Sequence, residues 1–132
     1  LKIEGELRGC IGTIEPTTKC VGEEIIRNSI SAALDDPRFH PVKAEELMDI
    51  DISVDLLYTL EQASFEDLDP LCYGIIVTSG ERQGLLLPNL AGVNTREQQL
   101  QIAMSKGEIS PSEVYKLERF KVKRFKEVEE EE

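Results

Sequence analysis

The residue types best suited to chemistry first come together in the segment Leu7–Gly12, with the sequence LRGCIG. If this segment is a strand, Arg8 and Cys10 are two residues apart and point to the same face of the sheet. A guanidinium beside a thiol favours the thiolate, which is the stronger nucleophile. Gly9 and Gly12 would let a ligand approach the backbone closely. The pattern has two interpretations: a reactive cysteine assisted by an arginine, or a small, buried cysteine between glycines that fit a tight sheet crossing.

A second segment, Asp36–Pro41, contains a charged pair and the only histidine of the chain. Its two prolines favour a rigid, extended turn. Arg38 is placed to pair with Asp36 or to bind an anionic ligand. His40 is the only conventional general base, so a couple between Cys10 and His40 is conceivable. The alternative is an ordered loop with an internal ion pair and an imidazole that faces solvent.

Sequence motifs for common cofactors are absent. The chain has no GxxxxGK phosphate loop, no GxGxxG dinucleotide loop and no GxSxG nucleophile elbow. Its three cysteines and single histidine show neither CxxC nor CxxxCxxC spacing, so they do not form the ligand set of a structural zinc site or a radical-SAM cluster. We therefore expect no resident cofactor and no metal site.

The composition favours a single domain that neither binds nucleic acids nor spans a membrane. The chain has 132 residues, of which 40% are hydrophobic, and a formal net charge of -11. A domain of this size can bury a core, and its negative charge opposes binding to a phosphate backbone. No apolar run approaches the roughly 18 residues of a membrane span. An odd number of cysteines is not typical of a disulfide scaffold, so we expect a reducing cytoplasm.

Hydrophobic periodicity predicts an α+β fold with mainly antiparallel pairing, because strands come in hairpins and helices are few. The predicted elements are a hairpin over Leu1–Ile14 turning at Glu4 and Gly5, a helix over Lys19–Leu34, a short helical turn over Pro41–Met48, a strand over Ile50–Leu56, a hairpin over Tyr73–Leu87, a helix capped by Asn94 and Glu97 that runs to Lys106, and a strand over Tyr115–Phe125.

Two strands carry sharper expectations. In the Ile50–Leu56 strand, the isoleucines, Val54 and Leu56 alternate with acidic residues, so the apolar set should be buried on one face with Asp51 and Asp55 outside. In the last strand the apolar phase shifts between Leu117 and Phe120, which predicts a bulge.

The end of the chain is strongly charged. A basic cluster at Lys121, Lys123, Arg124 and Lys126 precedes an acidic run at Glu127–Glu132. This pattern predicts a charged edge strand that leads into a frayed tail. We assign residues 1–126 to the domain and residues 127–132 to an acidic tail. The first residue is leucine and already belongs to a predicted strand, so we expect an N-terminal part to be missing.

Five segments resemble the AMMECR domain family in content and order. The match as a whole runs over most of the chain, from about Gly5 to Lys106, and continues into the last strand. LRGCIG is the hallmark of the family. The segments are LRGCIGTIEPT at Leu7–Thr17, AALDDPRFHP at Ala32–Pro41, DISVDLL at Asp51–Leu57, YGIIV at Tyr73–Val77 and GLLLPNLAGV at Gly84–Val93. The resemblance implies a compact α+β domain with two lobes, usually preceded by a helix and a strand.

Within this family, the sequence is similar to component A of AmmeMemoRadiSam systems, which is associated with a Memo-like protein and a radical-SAM enzyme. The family's biochemical activity is not established. The chain departs from the family at His40, where proline or another residue is usual, and this argues against the Cys10–His40 couple. Carried over by motif, the positions of interest are Arg8, Gly9, Cys10, Gly12, Asp36, Arg38 and Phe39.

Three functions remain open on these grounds. The leading hypothesis is a binding or accessory component, in which the LRGCIG strand and the Asp36–Arg38 turn form a pocket that positions a small molecule or peptide for partner enzymes. The second is an enzyme that uses Cys10 as its nucleophile with Arg8 as activator. The third is a purely structural interaction module. Whether the Cys10 sulfur is open to a pocket, and which arginine faces it, separates them.

Overall fold

The computed structural model describes residues 1–127, and these form two compact units. Among these residues, the first unit contains Leu1–Asp55 and residues 124–127, and the second contains Leu56–Lys123. Both are built from antiparallel strands with few helices, so the predicted α+β class is confirmed. The last five residues of the predicted acidic tail lie outside the described residues.

The helices and strands have the following bounds. The strands are β1 (Lys2–Ile3), β2 (Glu6–Leu7), β3 (Ile50–Asp51), β4 (Ser53–Gln62), β5 (Gly74–Ser79), β6 (Arg82–Leu86) and β7 (Lys116–Lys126). The α-helices are α1 (Val21–Leu34) and α2 (Arg96–Lys106), and short 3₁₀ turns lie at Ala44–Asp49 and Phe65–Asp67. No helix among these is both long and apolar enough to cross a membrane.

The first unit contains a small sheet of order β2-β1-β3. Glu4 and Gly5 both have positive φ, 50° and 80°, as a two-residue hairpin turn of the mirror-image type requires. The predicted return strand to Ile14 is wrong, because β2 ends at Leu7. Beyond it the backbone N–H of Cys10 donates to a side chain, Asp36 Oδ2, at 2.9 Å instead of to a neighbouring strand. Side chains two apart in this segment therefore do not share a sheet face.

Helix α1 forms where the periodicity predicts it, with Cys20 at its N-cap. Glu24 in its first turn also secures the chain before the helix, since its carboxylate accepts from the Thr13 hydroxyl at 2.5 Å and from the Thr18 backbone N–H at 2.7 Å. These bonds and those from Thr17 lower the pKa of Glu24 to about 2. The acidic first turn thus orders the irregular segment that follows LRGCIG.

The helix leaves one apolar stripe uncovered by the described residues. Ile26, Ile30 and Leu34 are four residues apart, and 61%, 52% and 51% of their surfaces are exposed. Ala32, on another side of the helix, is buried. The predicted amphipathic pattern is real, but only part of it contributes to the core.

The predicted single strand over Ile50–Leu56 is wrong, because it is divided at Ile52. Ile50 lies in β3 and is buried, whereas Ile52 is 38% exposed and connects β3 to β4. Asp55 is not a solvated face residue, since its carboxylate accepts two hydrogen bonds from Arg124 at 2.7 and 2.9 Å. Alternation alone did not reveal that the two halves of this segment belong to different sheets.

The second sheet has the order β4-β7-β5-β6. The β5–β6 hairpin confirms the predicted one, and it turns at Gly80, whose φ is +61°. Helix α2 also forms as predicted and ends at Gly107. Its cap is one residue away from the predicted position, because Thr95 accepts from the N–H of Gln98 while Asn94 and Glu97 do not form the box.

Strand β7 corrects two expectations. It lies between β4 and β5, so it is not the predicted charged edge strand. Its ladder with β5 is continuous from Leu117 opposite Val77 to Phe120 opposite Gly74, without the predicted bulge. Leu117 and Phe120 are 8% and 0% exposed although they face opposite sides of the strand, because both faces are covered here. The apolar phase shift therefore marks burial on two faces.

The core of the second unit forms between α2 and the sheet. A Cβ on Gly84 would lie 1.8 Å from the carbonyl oxygen of Ala103, so only glycine permits this close approach of the helix. The buried hydrophobic cluster consists of Leu68, Ile75, Val77, Leu86, Val93, Ala103, Met104, Ile109 and Leu117.

A matched pair of leucines tests this core. Leu68 is 1% exposed and Leu71 is 62% exposed. We expect Leu68→Ala to lower the free energy of unfolding by about 2–5 kcal/mol through lost burial and a residual cavity. Leu71→Ala should change it by no more than about 0.5 kcal/mol. Urea denaturation measures both values, and equal losses would contradict the assigned packing.

Candidate ligand-binding site

Asp36 is the central group of the site, although its side chain is only 1% exposed. It follows helix α1 and accepts hydrogen bonds from two parts of the chain. Its Oδ2 accepts from the Cys10 backbone N–H at 2.9 Å, and its Oδ1 accepts from the Arg38 backbone N–H at 3.1 Å. Hydrogen bonds from the Arg38 guanidinium, followed by that from Cys10, hold the pKa of Asp36 well below its usual range. The carboxylate therefore stays ionised and fastens the LRGCIG segment to the end of the helix.

Arg38 is held at one edge and open at the other. Its Nε and Nη2 donate to the two Asp36 oxygens at 3.1 and 2.8 Å, and Nη2 also donates to the Cys10 carbonyl at 3.2 Å. The guanidinium carbon lies 5.4 Å from the centre of the Phe39 ring, within cation–π distance. The side chain is 55% exposed, and Nη1 has no hydrogen-bond acceptor within residues 1–127.

Arg8 is more completely enclosed. Its Nε and Nη2 donate to the Glu46 carboxylate at 3.3 and 2.9 Å, and its Nη1 donates to the His40 carbonyl at 2.8 Å. Only 16% of its side chain is exposed. Glu46 also accepts from the Lys43 backbone N–H at 2.9 Å, and these bonds, that from Arg8 above all, lower the pKa of Glu46. Arg8 thus joins the LRGCIG segment to the 3₁₀ turn that contains Glu46.

These elements surround an open pocket of about 990 Å³ within the first unit. It is lined by Arg8, by the run Pro37–Lys43 and by Glu46. Pro37, Phe39, Pro41 and Val42 give apolar walls, while the arginines and Lys43 contribute positive charge. The lining therefore combines apolar walls with a few oriented polar groups.

The predicted site residues divide into three groups. Arg8, Arg38 and Phe39 line the pocket, and Asp36 lies behind Arg38 as its partner. Cys10, Gly9 and Gly12 are not among the lining residues. Glu46 and Lys43 are functional candidates that the sequence did not reveal, because Glu46 is 38 residues from the arginine that it binds.

The predicted partnership of Arg8 and Cys10 is wrong. Arg8 directs its guanidinium to Glu46, whereas Arg38 is the cation next to Cys10. The Cys10 side chain contributes to raising the pKa of Arg38, after the larger effect of Asp36. The alternative of a buried Cys10 is also wrong, since this cysteine is exposed.

The other two cysteines differ from Cys10 in their surroundings. Both are free and exposed. A hydrogen bond to Asp69 raises the pKa of Cys72, whereas Cys20 occupies the N-cap position of helix α1 without a side-chain cap hydrogen bond. Residues 1–127 contain no group of three or more metal-ligating side chains.

Gly9 and Gly12 play different parts despite their shared motif. A Cβ on Gly9 would lie 2.1 Å from the carbonyl oxygen of Ala32, so glycine is needed for the segment to pack on helix α1. A Cβ on Gly12 would meet no atom within 4 Å, and its φ lies outside the left-handed region. Gly9 therefore sets the backbone geometry of the site, while nothing within residues 1–127 requires glycine at position 12.

Comparison with known proteins identifies the family of this chain. The AMMECR1 family model matches residues 1–129. The chain belongs to the AMMECR1 family. The predicted family resemblance is thereby confirmed.

Relatives and a solved structure resemble this AMMECR1 chain over most of its length. Protein CA_C1420 of Clostridium acetobutylicum is 58% identical over 96% of the chain, which spans 27% of that protein. A Thermotoga maritima protein is 48% identical over 95% of the chain, which spans 73% of it. The crystal structure of the uncharacterised protein PH0010 from Pyrococcus horikoshii superposes with a TM-score of 0.83 at 31% identity, covering 91% of this chain and 64% of that one.

The two hallmark glycines provide a matched test of the AMMECR1 site geometry. We expect Gly9→Ala to lower the free energy of unfolding by about 1–3 kcal/mol, because its methyl group would collide with the α1 backbone. Gly12→Ala should stay within about 0.5 kcal/mol of the parent chain. Thermal and urea unfolding measure both. A tolerated Gly9→Ala would contradict the close packing on Ala32.

Proposed function

We propose that this chain is a substrate-binding or accessory component, which holds a small molecule or peptide in the pocket lined by Arg8, Pro37–Lys43 and Glu46. The observation that carries the proposal is the open edge of Arg38. Its guanidinium lines the pocket, is oriented by Asp36 and has Nη1 without an acceptor within the described chain. An oriented donor in an open cavity is suited to binding.

The carboxylates of the site support binding over acid–base catalysis. Asp36 and Glu46 are both committed to arginines, and their pKa values are lowered by those partners. A general base works best with a pKa near the working pH, so neither carboxylate is suited to that role. His40 contributes the only imidazole of the pocket lining, at a position where the family resemblance predicts a different residue.

The proposed partners are a Memo-like protein and a radical-SAM enzyme, as the resemblance to AmmeMemoRadiSam component A suggests. The length of the Clostridium relative supports a domain that works beside others, since the chain spans only 27% of that protein. A reducing cytoplasm suits the three cysteines, which are all free.

A second candidate function is a cysteine-dependent enzyme. The exposure of Cys10 and its position next to Arg38 favour it, because a neighbouring cation can activate a thiol. The activating residue in this version is Arg38 in place of Arg8.

Metabolite capture tests the binding proposal directly. The chain is incubated with a cell extract, alone and with a Memo-like protein, and retained small molecules are identified by mass spectrometry. We expect retention by the parent chain and its loss in Phe39→Ala and Arg38→Met. Arg27→Met is the matched control, since Arg27 is an exposed arginine of α1 outside the pocket lining. Equal retention by Arg27→Met and the two pocket variants would refute the proposal.

Thiol labelling tests the alternative enzyme. If Cys10 is a nucleophile, iodoacetamide should label it faster than Cys20 near neutral pH, and Arg38→Lys should retain more of that rate than Arg38→Met. Cys72 should react slowly, because its raised pKa leaves less thiolate. Peptide mass spectrometry gives all three rates. Labelling of Cys10 no faster than Cys20 would exclude the nucleophile.

A further inference from the structure

We infer that the ligand of the pocket is a small organic anion, with a carboxylate or phosphate group attached to an apolar or aromatic part. This inference rests on the proposed binding function and specifies its ligand class. Three of the lining side chains are cationic, those of Arg8, Arg38 and Lys43, and only Glu46 is anionic. Asp36, behind Arg38, is a second carboxylate at the site, so these three cations and two anions leave a net charge of +1 at the pocket. That local charge is opposite in sign to the chain's net charge of -11, and this contrast favours an anion there.

The free donors locate the anionic group. Glu46 and the His40 carbonyl occupy three of the five N–H groups of Arg8. The Arg8 side chain is only 16% exposed, against 55% for Arg38, so Arg38 is the more accessible of the two arginines to a ligand. Arg38, a lining residue, has its Nε and Nη2 occupied, and the two N–H groups of its Nη1 have no acceptor within residues 1–127. Lys43 is exposed, and its ammonium forms no salt bridge within residues 1–127. Its charge contributes, after that of Arg8, to lowering the pKa of Glu46. The anionic group accordingly binds between Arg38 Nη1 and the Lys43 ammonium.

The apolar walls select the rest of the ligand. Pro37, Pro41 and Val42 supply surface without hydrogen-bonding side chains, and Phe39 supplies an aromatic face. A fully hydrated ion such as acetate gains little from these walls, whereas a phenyl or alkyl group gains burial, at roughly 25 cal/mol for each Å² removed from water.

Three probes of similar size separate charge from shape. The ¹⁵N-labelled chain is titrated with phenylacetate, phenyl phosphate and 2-phenylethanol, and amide shifts are followed at Arg38, Phe39, His40, Val42 and Lys43. We expect both anions to bind at least about tenfold more tightly than the alcohol, a difference of about 1.4 kcal/mol. The tighter of the two anions identifies the head group. Added salt should weaken anion binding and leave the alcohol unchanged.

A pair of lysine variants makes the test independent of folding. Lys43→Gln should weaken phenylacetate binding several-fold, whereas Lys19→Gln removes the same charge from an exposed lysine outside the pocket and should not. Arg38→Gln should abolish anion binding, and its circular dichroism spectrum shows whether the chain remains folded. Equal effects of the two lysine variants would overturn the anion site.

The inference and the proposed function can fail separately. Binding of 2-phenylethanol as tightly as phenylacetate would overturn the anion class and leave a binding pocket. Anion binding in the titration, combined with no pocket-dependent retention in metabolite capture, would refute the proposed function while the site itself stands. Absence of any shift for all three probes would overturn the inference.

Discussion

The site depends on one buried carboxylate, that of Asp36. A buried charge is stable only when hydrogen bonds and an opposite charge replace its water. Asp36 obtains both, from the backbone N–H of Cys10 and from the guanidinium of Arg38. These bonds fix where the LRGCIG segment lies and where Arg38 points. Removing the carboxylate would release both at once, so the backbone of the hallmark segment and the pocket cation form a single structural unit.

The sequence predicted those elements whose pattern is decided locally. Helix α1 and the β5–β6 hairpin formed near their predicted bounds, because apolar spacing and turn glycines act over a few residues. The predictions were wrong where contacts between residues far apart in sequence determine the structure. After Leu7, the backbone N–H of Cys10 donates to the Asp36 carboxylate and not to a neighbouring strand. Strand β7 lies inside a sheet, although its charged residues resemble those of an edge strand. A single sequence does not show which residue 26 positions away accepts a backbone hydrogen bond.

The sequence predicted several residues of the candidate site, but it did not predict which residues bind one another. Arg8, Arg38 and Phe39 were identified from the motif, and all line the pocket. Their interaction partners were not identified, because the path of the backbone, and not spacing in sequence, determines which arginine lies next to Cys10. Glu46 had no distinguishing mark among 26 acidic residues. The sequence also did not show which glycine of the motif is required. Only the structure shows that Gly9 packs against Ala32, whereas Gly12 has no such contact.

The two hydrogen bonds that hold one edge of the Arg38 guanidinium on Asp36 affect the entropy of ligand binding. An arginine that is free in solution loses rotamer freedom when it captures an anion, at a cost of about 0.5–1.5 kcal/mol for an immobilised side chain. Arg38 has already lost much of that freedom, since Asp36 holds two of its nitrogens and Phe39 lies beside its plane. The entropy loss is incurred during folding and not during binding. At Arg38, a weak, fragment-sized ligand therefore has less side-chain motion to restrict than it would at an arginine without partners.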